Sequence, residues 1–212
     1  MSSLQKVKRI LDYGTENRES FMARVATMYG TLPPDYIDIE RAYNAAKEAF
    51  RDVVRDEGNR YFEHLRAATL IAMDFLRIRD PHIIKAILLH DILEDRDDWT
   101  PQRLVTEFGY QTAFLVESVT KPKRTGEMTK AELNAIYKRK LAVSGRDALI
   151  VKLPDNLHNT MTLSARPKEK IQPKINETRG IYIPFAEQHI ILIHELEEAA
   201  DEAQAYYNGL TA

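Results

Sequence analysis

A chain of 212 residues with 44% hydrophobic and 29% charged positions holds enough apolar material for one sizeable core, and two full domains would be cramped in it. The 30 Lys and Arg against 32 Asp and Glu leave a net charge of -2, which excludes a general attraction to nucleic acid or to an anionic membrane; any bound anion must be held by a local site. The absence of cysteine excludes disulfides and thiolate metal ligands and fits a reducing compartment.

The opening stretch "MSSLQKVKRILDYGTENRES" is polar and mixed in charge, without the apolar centre of a secretory signal. No apolar run anywhere reaches the roughly 18 residues needed to cross a bilayer, so a cytoplasmic protein is expected. From there the chain alternates helical patterns with short punctuations. "TLPPDYID" precedes "IERAYNAAKEAFRDVV", where Ile39, Ala42, Tyr43, Ala46 and Phe50 recur at three and four as one buried stripe, with Arg41, Lys47 and Glu48 on other faces. "DEGNR" precedes "YFEHLRAATLIAMDFL". In "RIRDP" before "HIIKAILLHDILED", Asp80 offers an N-cap and Pro81 the first helical position. "DDWTP" precedes "QRLVTEFG", and "QTAFLVESVT", "KAELNAIYKRKLA", "GRDALIVKLPDNLHNTMTL" and "NETRGIYIPFAEQHIILIHELEEAADEAQAYY" continue the helical period. The expected class is all-α with little or no sheet, and no linker or internal repeat divides it.

One of these helices ends in "HDILED", four titratable groups within two turns. Taking a continuous helix and counting from His90, Glu94 falls near about 40°, Asp91 near about 100° and Asp95 near about 140°, one cluster on a helix that is apolar nearly all round. Such acids are expected to face inward, where unpaired carboxylates cost several kcal/mol each and need cations, donors or a metal. The alternative is a satisfied core histidine followed by acids that begin an exposed turn "EDRDDW". A metal would need further ligands, and two segments supply candidates: "YFEHLRAAT" with His64, and "VKLPDNLHN" with Asp155 and His158.

The order His, His-Asp, Asp on apolar helices resembles the metal-binding signature of the HD phosphohydrolase superfamily. "IERAYNAAKEAF", "YFEH", "ILLHDILED", "EFG…LVESVTK", "VKLPDNLHNTMTL" and "ETRGIYIPFAEQ" follow one another as in the hydrolase domain of RelA/SpoT-type guanosine tetraphosphate enzymes, over roughly residues 37 to 190. The resemblance implies an HD helical bundle over 36–212, preceded by an N-terminal helical extension, 1–35. No synthetase domain fits in the remaining length, so a small stand-alone alarmone hydrolase is expected.

By the same resemblance His64, His90, Asp91 and Asp155 match the protein ligands of a single divalent ion, usually manganese, that would acidify a water and polarise the attacked phosphoryl group. Glu94 and Asp95 match the acid pair of chains that hydrolyse the alarmone and would position and deprotonate that water. Arg55 matches an arginine that packs on guanine, a role suited to a planar guanidinium. Asn159 and Thr162 match nucleoside-contacting positions, and Tyr182 a tyrosine lining the same site. Asp56, Arg60, Pro154 and Asn156 depart from the family pattern, with a basic residue lost at 56 and another at 156. The loop "TKPKRTGEMTK" offers Lys121, Lys123, Arg124 and Lys130 as phosphate partners or as a solvated basic loop, while His82, His189 and His194 match no ligand and read as structural. The final helix reads as an amphipathic closing element with a solvated acidic face.

The expected activity is therefore manganese-dependent hydrolysis of guanosine tetra- or pentaphosphate, a small-molecule nucleotide, at its 3′-position. Two alternatives stay open. One is an HD phosphohydrolase acting on another nucleotide, as a phosphatase for the 2′-phosphate of NADPH or on the adenine alarmone. The other is an antitoxin-like module that binds alarmone without turnover, against which the complete metal and acid set argues.

Overall fold

Prolines and short polar side chains set where the helices begin. In the computed structural model, which describes residues 1–11, 16–31, 33–123, 126 and 128–210, the Asp80 carboxylate accepts from the His82 and Ile83 amides, with Pro81 opening the helix. Thr100 accepts from the Arg103 amide ahead of Pro101, and Thr129 and Glu132 form a reciprocal capping box. The helices are Ser3–Leu11 (α1), Arg18–Tyr29 (α2), Pro34–Ala49 (α3), Tyr61–Leu70 (α4), Pro81–Leu89 (α5), Ile92–Asp95 (α6), Pro101–Phe108 (α7), Tyr110–Val119 (α8), Lys130–Val143 (α9), Gly145–Met161 (α10), Lys168–Glu177 (α11), Ile183–His189 (α12) and Ile193–Gly209 (α13). Among the described residues the sole β-type pairing is the single bridge of Val54 with Arg60. Among the described residues no helix is long and apolar enough to cross a membrane.

α10 is the axis of the bundle. Its residues 148–157 are all buried, and it packs against α4, α5, α8 and α13. That total burial explains why Lys152 and Asp155 meet inside the core rather than on a solvated face. The stripe Ile39, Ala42, Tyr43, Ala46 and Phe50 of α3 is buried as its spacing predicts. Its rings lock neighbouring helices together, with Tyr43 4.9 Å from Phe21 of α2 and 4.7 Å from Phe62 of α4; each such ring contributes about 2 kcal/mol by burial alone. At the end of α7, Gly109 takes φ 84° and lets α8 fold back as a hairpin partner. α1 inserts Leu4 and Val7 into the core and lies along α13, where Ser3 donates to buried Glu195.

Two stretches read as continuous helix are interrupted. The first is "HIIKAILLHDILED": α5 stops at Leu89, His90 and Asp91 form a turn with Asp91 at φ -95°, ψ -1°, and α6 starts afresh at Ile92. The second is the C-terminal run, where Ile190 and Leu192 both take left-handed backbone, φ 54° and 55°, between α12 and α13. Left-handed backbone costs about 1–2 kcal/mol per L-residue, offset here by burying Ile191 and Leu192 in the core. Residues 178–182 widen into a turn in which the Ile183 amide donates to Thr178 O, placing Tyr182 against the end of α10's polar face.

Candidate metal centre and nucleotide site

Three elements converge on one point. α4 carries Tyr61 and His64 one turn apart on one side. The α5–α6 turn presents His90 and Asp91. α10 sends Lys152, Asp155, Asn159 and Thr162, spaced three, four and three residues apart, down a single face. One ligand atom from each of His64, His90, Asp91 and Asp155 lies within 4.8 Å of all the others, and all four residues are buried.

The atoms are oriented by their partners. His90 Nδ1 donates to Ile87 O at 2.8 Å, which leaves Nε2 facing Asp91 Oδ2 at 2.9 Å and Asp155 Oδ1 at 3.4 Å. That nitrogen is buried with no well-formed hydrogen bond, in a position to meet a cation once its proton is lost. His64 Nε2 lies 3.0 Å from Asp155 Oδ1, and its Nδ1 is 2.9 Å from His158 Nδ1. Burial keeps both of these rings neutral by lowering their pKa values, so only one proton lies between the two Nδ1 atoms. Assigning it to His64 leaves that ring's Nε2 free as a ligand. Tyr61 donates to Asp91 Oδ2 at 2.6 Å, Lys152 Nζ approaches Asp155 Oδ2 at 2.8 Å, and Asn159 Nδ2 donates to Asp155 Oδ1 at 2.5 Å.

The two carboxylates draw positive charge into the cluster. Burial opposes a charged His90, yet Asp91 and Asp155 overcome it and raise the ring to about 10. Burial would raise both carboxylates, but His90 beside Asp91, and Lys152 with His90 beside Asp155, hold them well below the usual carboxylate range. In the metal-free protein Lys152 and the protonated His90 ring balance the two ionised carboxylates, and a divalent ion bound there would take the place of the His90 proton. Two imidazole nitrogens and two carboxylate oxygens suit a divalent ion in that role, and the cluster is compatible with one.

The break at His90 decides which acids turn inward. His90 and Asp91 are buried, whereas Glu94 is half-buried and Asp95 exposed, so the expectation that all four face the core holds for two of them. Glu94 and Asp95 line the mouth of a cavity of about 440 Å³ that reaches Asp91 and Asp155. Glu94 Oε1 accepts from the Lys121 amide at 2.7 Å. The Asp95 carboxyl is pushed up by partial burial and by the charges of Asp91 and Glu94.

The same cavity is lined by Arg55, Asn159 and Tyr182, and Thr162 sits behind them. Arg55 donates to Glu57 at 3.0 and 3.3 Å, to Asn159 Oδ1 at 3.0 Å and to Thr162 Oγ1 at 3.3 Å. Burial opposes ionisation of Glu57, but the bonds from Arg55 prevail and bring that carboxyl down to about 2. Because its N–H groups are engaged in plane, the guanidinium keeps its faces for stacking, and its carbon lies 5.8 Å from the Tyr61 ring. Tyr182 is buried under Lys174, whose Nζ is 5.1 Å from the ring centre.

Asp56, which departs from the basic residue of the family pattern, is faced by Lys170 at 3.8 Å and by Arg166 Nε at 4.0 Å. The missing positive charge thus arrives from α11 and the turn before it. Asn156 is buried and accepts from Thr178 at 3.3 Å. Of the basic loop, Lys121 lines the cavity, Lys123 is exposed and 3.5 Å from Asp97, Lys130 opens α9, and Arg124 lies outside the described residues. His82, His189 and His194 do not line the cavity, and His194 is exposed on α13. Sequence reasoning passed over Tyr61, Glu57, Lys152, Arg166, Lys174 and Glu177. For Tyr61 and Lys152 a signal was present, since each precedes a candidate ligand, His64 or Asp155, by three positions on an otherwise apolar helix.

Comparison with known proteins places this geometry. A GTP pyrophosphokinase of Streptomyces coelicolor is 36% identical over 152 residues, covering 70% of this chain and 17% of that protein. A guanosine-3′,5′-bis(diphosphate) 3′-pyrophosphohydrolase of Spiroplasma citri is 36% identical over 152 residues, covering 70% of this chain and 20% of that protein. The chain therefore spans a fifth or less of the length of these curated relatives. A solved structure of a metazoan orthologue of SpoT, described as hydrolysing ppGpp and acting in starvation responses, superposes with a TM-score of 0.60 at 25% identity, covering 78% of this chain and 93% of that one. Residues 42–191 match the family described as HD domain, a span that contains every residue of the four-ligand cluster, and the chain belongs to that HD-domain family.

Proposed function

We propose that the chain hydrolyses guanosine 3′,5′-bis(diphosphate), or the pentaphosphate, at the 3′-position to give GDP or GTP and pyrophosphate, lowering the alarmone level in the cytoplasm. The observation that carries this reading is the convergence of His64, His90, Asp91 and Asp155 at the base of a cavity whose mouth holds Glu94 and Asp95. Similarity to proteins named for this reaction supports the choice of substrate. We take residues 36–212 as the hydrolase domain and 1–35 as a helical extension packed on it.

The four clustered residues would hold the ion, manganese in this reading, which when bound supplies Lewis-acid polarisation of the phosphoryl group and acidifies water. Glu94, fixed by the Lys121 amide, orients the attacking water, and Asp95, whose raised pKa suits proton uptake, receives its proton. The water oxygen bonds to the phosphorus on O3′, the P–O3′ bond breaks, and the proton taken up by Asp95 passes to O3′, which departs as the hydroxyl. Lys152 and Lys121 face the phosphates from the same cavity. Arg55 stacks on the base, held flat by Glu57, while Asn159 and Thr162 meet the nucleoside and Tyr182 lines the wall.

A second reading, cleavage of the adenine counterpart or removal of the 2′-phosphate of NADPH, is favoured by Asp56, which lines the cavity and alters its charge near Arg55, whereas Asn156 lies buried outside the lining. Turnover of the manganese-loaded protein on guanosine tetraphosphate, adenosine tetraphosphate and NADPH, with pyrophosphate and orthophosphate measured separately, decides between them. Pyrophosphate from the guanosine substrate is expected. Activity on NADPH alone, or release of orthophosphate alone, would overturn the proposal.

A further inference from the structure

Beside the metal cavity lies a second hollow of about 440 Å³. The loop after α8 and helix α9 contribute Lys121, Lys130 and Tyr137 to it; α11 and the turn before it contribute Arg166, Lys170 and Lys174. Four residues, Lys121, Arg166, Lys174 and Glu177, line both hollows, so the two are joined along one edge. The sign of the charge inverts across that edge. The metal cavity is lined by five cationic side chains and six carboxylates, the second hollow by five cationic side chains and only two carboxylates, Glu169 and Glu177.

This positive excess is only partly answered within the protein: Arg166 and Lys170 share the single Asp56 carboxylate, at 4.0 and 3.8 Å. Glu177 serves both Lys174, at 2.9 Å, and Lys121, at 3.8 Å. Arg166 Nε is buried without a hydrogen bond, and Lys130 forms no ion pair among the described residues. Burial and the neighbouring Lys121 keep the Lys174 ammonium below the ordinary lysine range despite Glu177. Pro122, Leu133 and Pro173 supply apolar walls that limit screening by water.

We propose that the second hollow is an anion subsite that takes a short phosphate chain running out of the metal cavity. This goes beyond single lysines on a basic loop, because Arg166, Lys170 and Lys174 come from the opposite wall. It rests on the reading of the metal cavity as a site for a polyphosphorylated nucleotide. Two sources share the chemistry, the 5′-phosphates of the substrate and the released pyrophosphate.

The test uses the full, manganese-loaded chain with Lys130→Gln combined with Lys170→Gln, both exposed positions, and separately Glu169→Gln. Calorimetric titration with inorganic triphosphate is expected to show about tenfold weaker binding in the double variant and tighter binding in Glu169→Gln. Equal affinity in all three proteins overturns the subsite, whether or not the protein hydrolyses anything. Kinetics then separate the sources. A rise in KM about fivefold larger for guanosine tetraphosphate than for guanosine 3′-diphosphate assigns the hollow to the 5′-chain. Weaker inhibition by pyrophosphate, with equal changes in KM, assigns it to the product, and neither effect overturns the proposal. If the wild type turns over no nucleotide while triphosphate binding still responds to the substitutions, the hydrolase reading fails and the subsite stands.

Discussion

Tyr61→Phe removes one hydroxyl and leaves the ring, so it isolates what the hydrogen bond to Asp91 does. The Tyr61 hydroxyl lies 2.6 Å from Asp91 Oδ2, and burial together with the Asp91 charge raises its pKa so far that it stays a donor at every working pH. A hydrogen bond to an ionised acceptor contributes about 1.5–3 kcal/mol, and Asp91, buried at the cavity base, also faces His90 Nε2 at 2.9 Å. Loss of about 2 kcal/mol of orientation in a metal-supporting residue corresponds to about 30-fold weaker ion binding. For a chain of this size the metal-free protein should also melt about 5 °C lower. Competition against a fluorescent chelator measures the first quantity and a thermal scan of the apo protein the second. Manganese affinity within threefold of the wild type, in a variant that is otherwise folded, would refute the assignment of Tyr61 as a support for Asp91.

Asp91→Ala should abolish metal binding and turnover together, whereas Glu94→Ala should retain the metal and lose most of the turnover; equal metal loss in both, by elemental analysis, would refute the division of roles. Arg55→Ala should raise KM for guanosine tetraphosphate about tenfold and also destabilise the fold by about 3 kcal/mol, because Glu57 loses its partner. Adding Glu57→Gln should restore part of the stability without restoring KM, and an unchanged KM would remove Arg55 from the site. Glu57 has its carboxyl lowered from 4.5 to about 2, so its contribution to stability is complete above pH 4.5 and fades as the pH falls toward 2. Denaturant unfolding of wild type and Glu57→Gln should therefore differ at pH 7 and converge in acid; a constant difference would contradict the Arg55–Glu57 pairing.

How much of this was legible depends on sequence distance. The α3 stripe from Ile39 to Phe50 and the Asp80–Pro81 start of α5 were read directly, because periodicity and capping are properties of neighbouring residues. The residue types and order of His64, His90, Asp91 and Asp155 were also readable, and the geometry brings all four to one point. The angular reading of "HDILED" assumed an unbroken helix. The turn at His90 and Asp91 cannot be seen in a local period, since it is held by contacts to other elements such as the Tyr61 bond to Asp91.

The bracing of Arg55 by Asn159 spans 104 positions, and the compensation of Asp56 by Lys170 joins a loop to a helix far along the chain. The sequence by itself therefore determined the helical class, helix starts such as that at Asp80–Pro81 and the residue types of a cluster compatible with a divalent ion, because these follow from local hydrogen bonding, hydrophobic spacing and side-chain type. Only the tertiary structure decided which acids are buried and which stand at the mouth, how Arg55 is held flat, and that a basic hollow adjoins the acidic one. Each of these depends on where separate helices come to rest against α10, and burial and charge balance act on that arrangement rather than on any one segment.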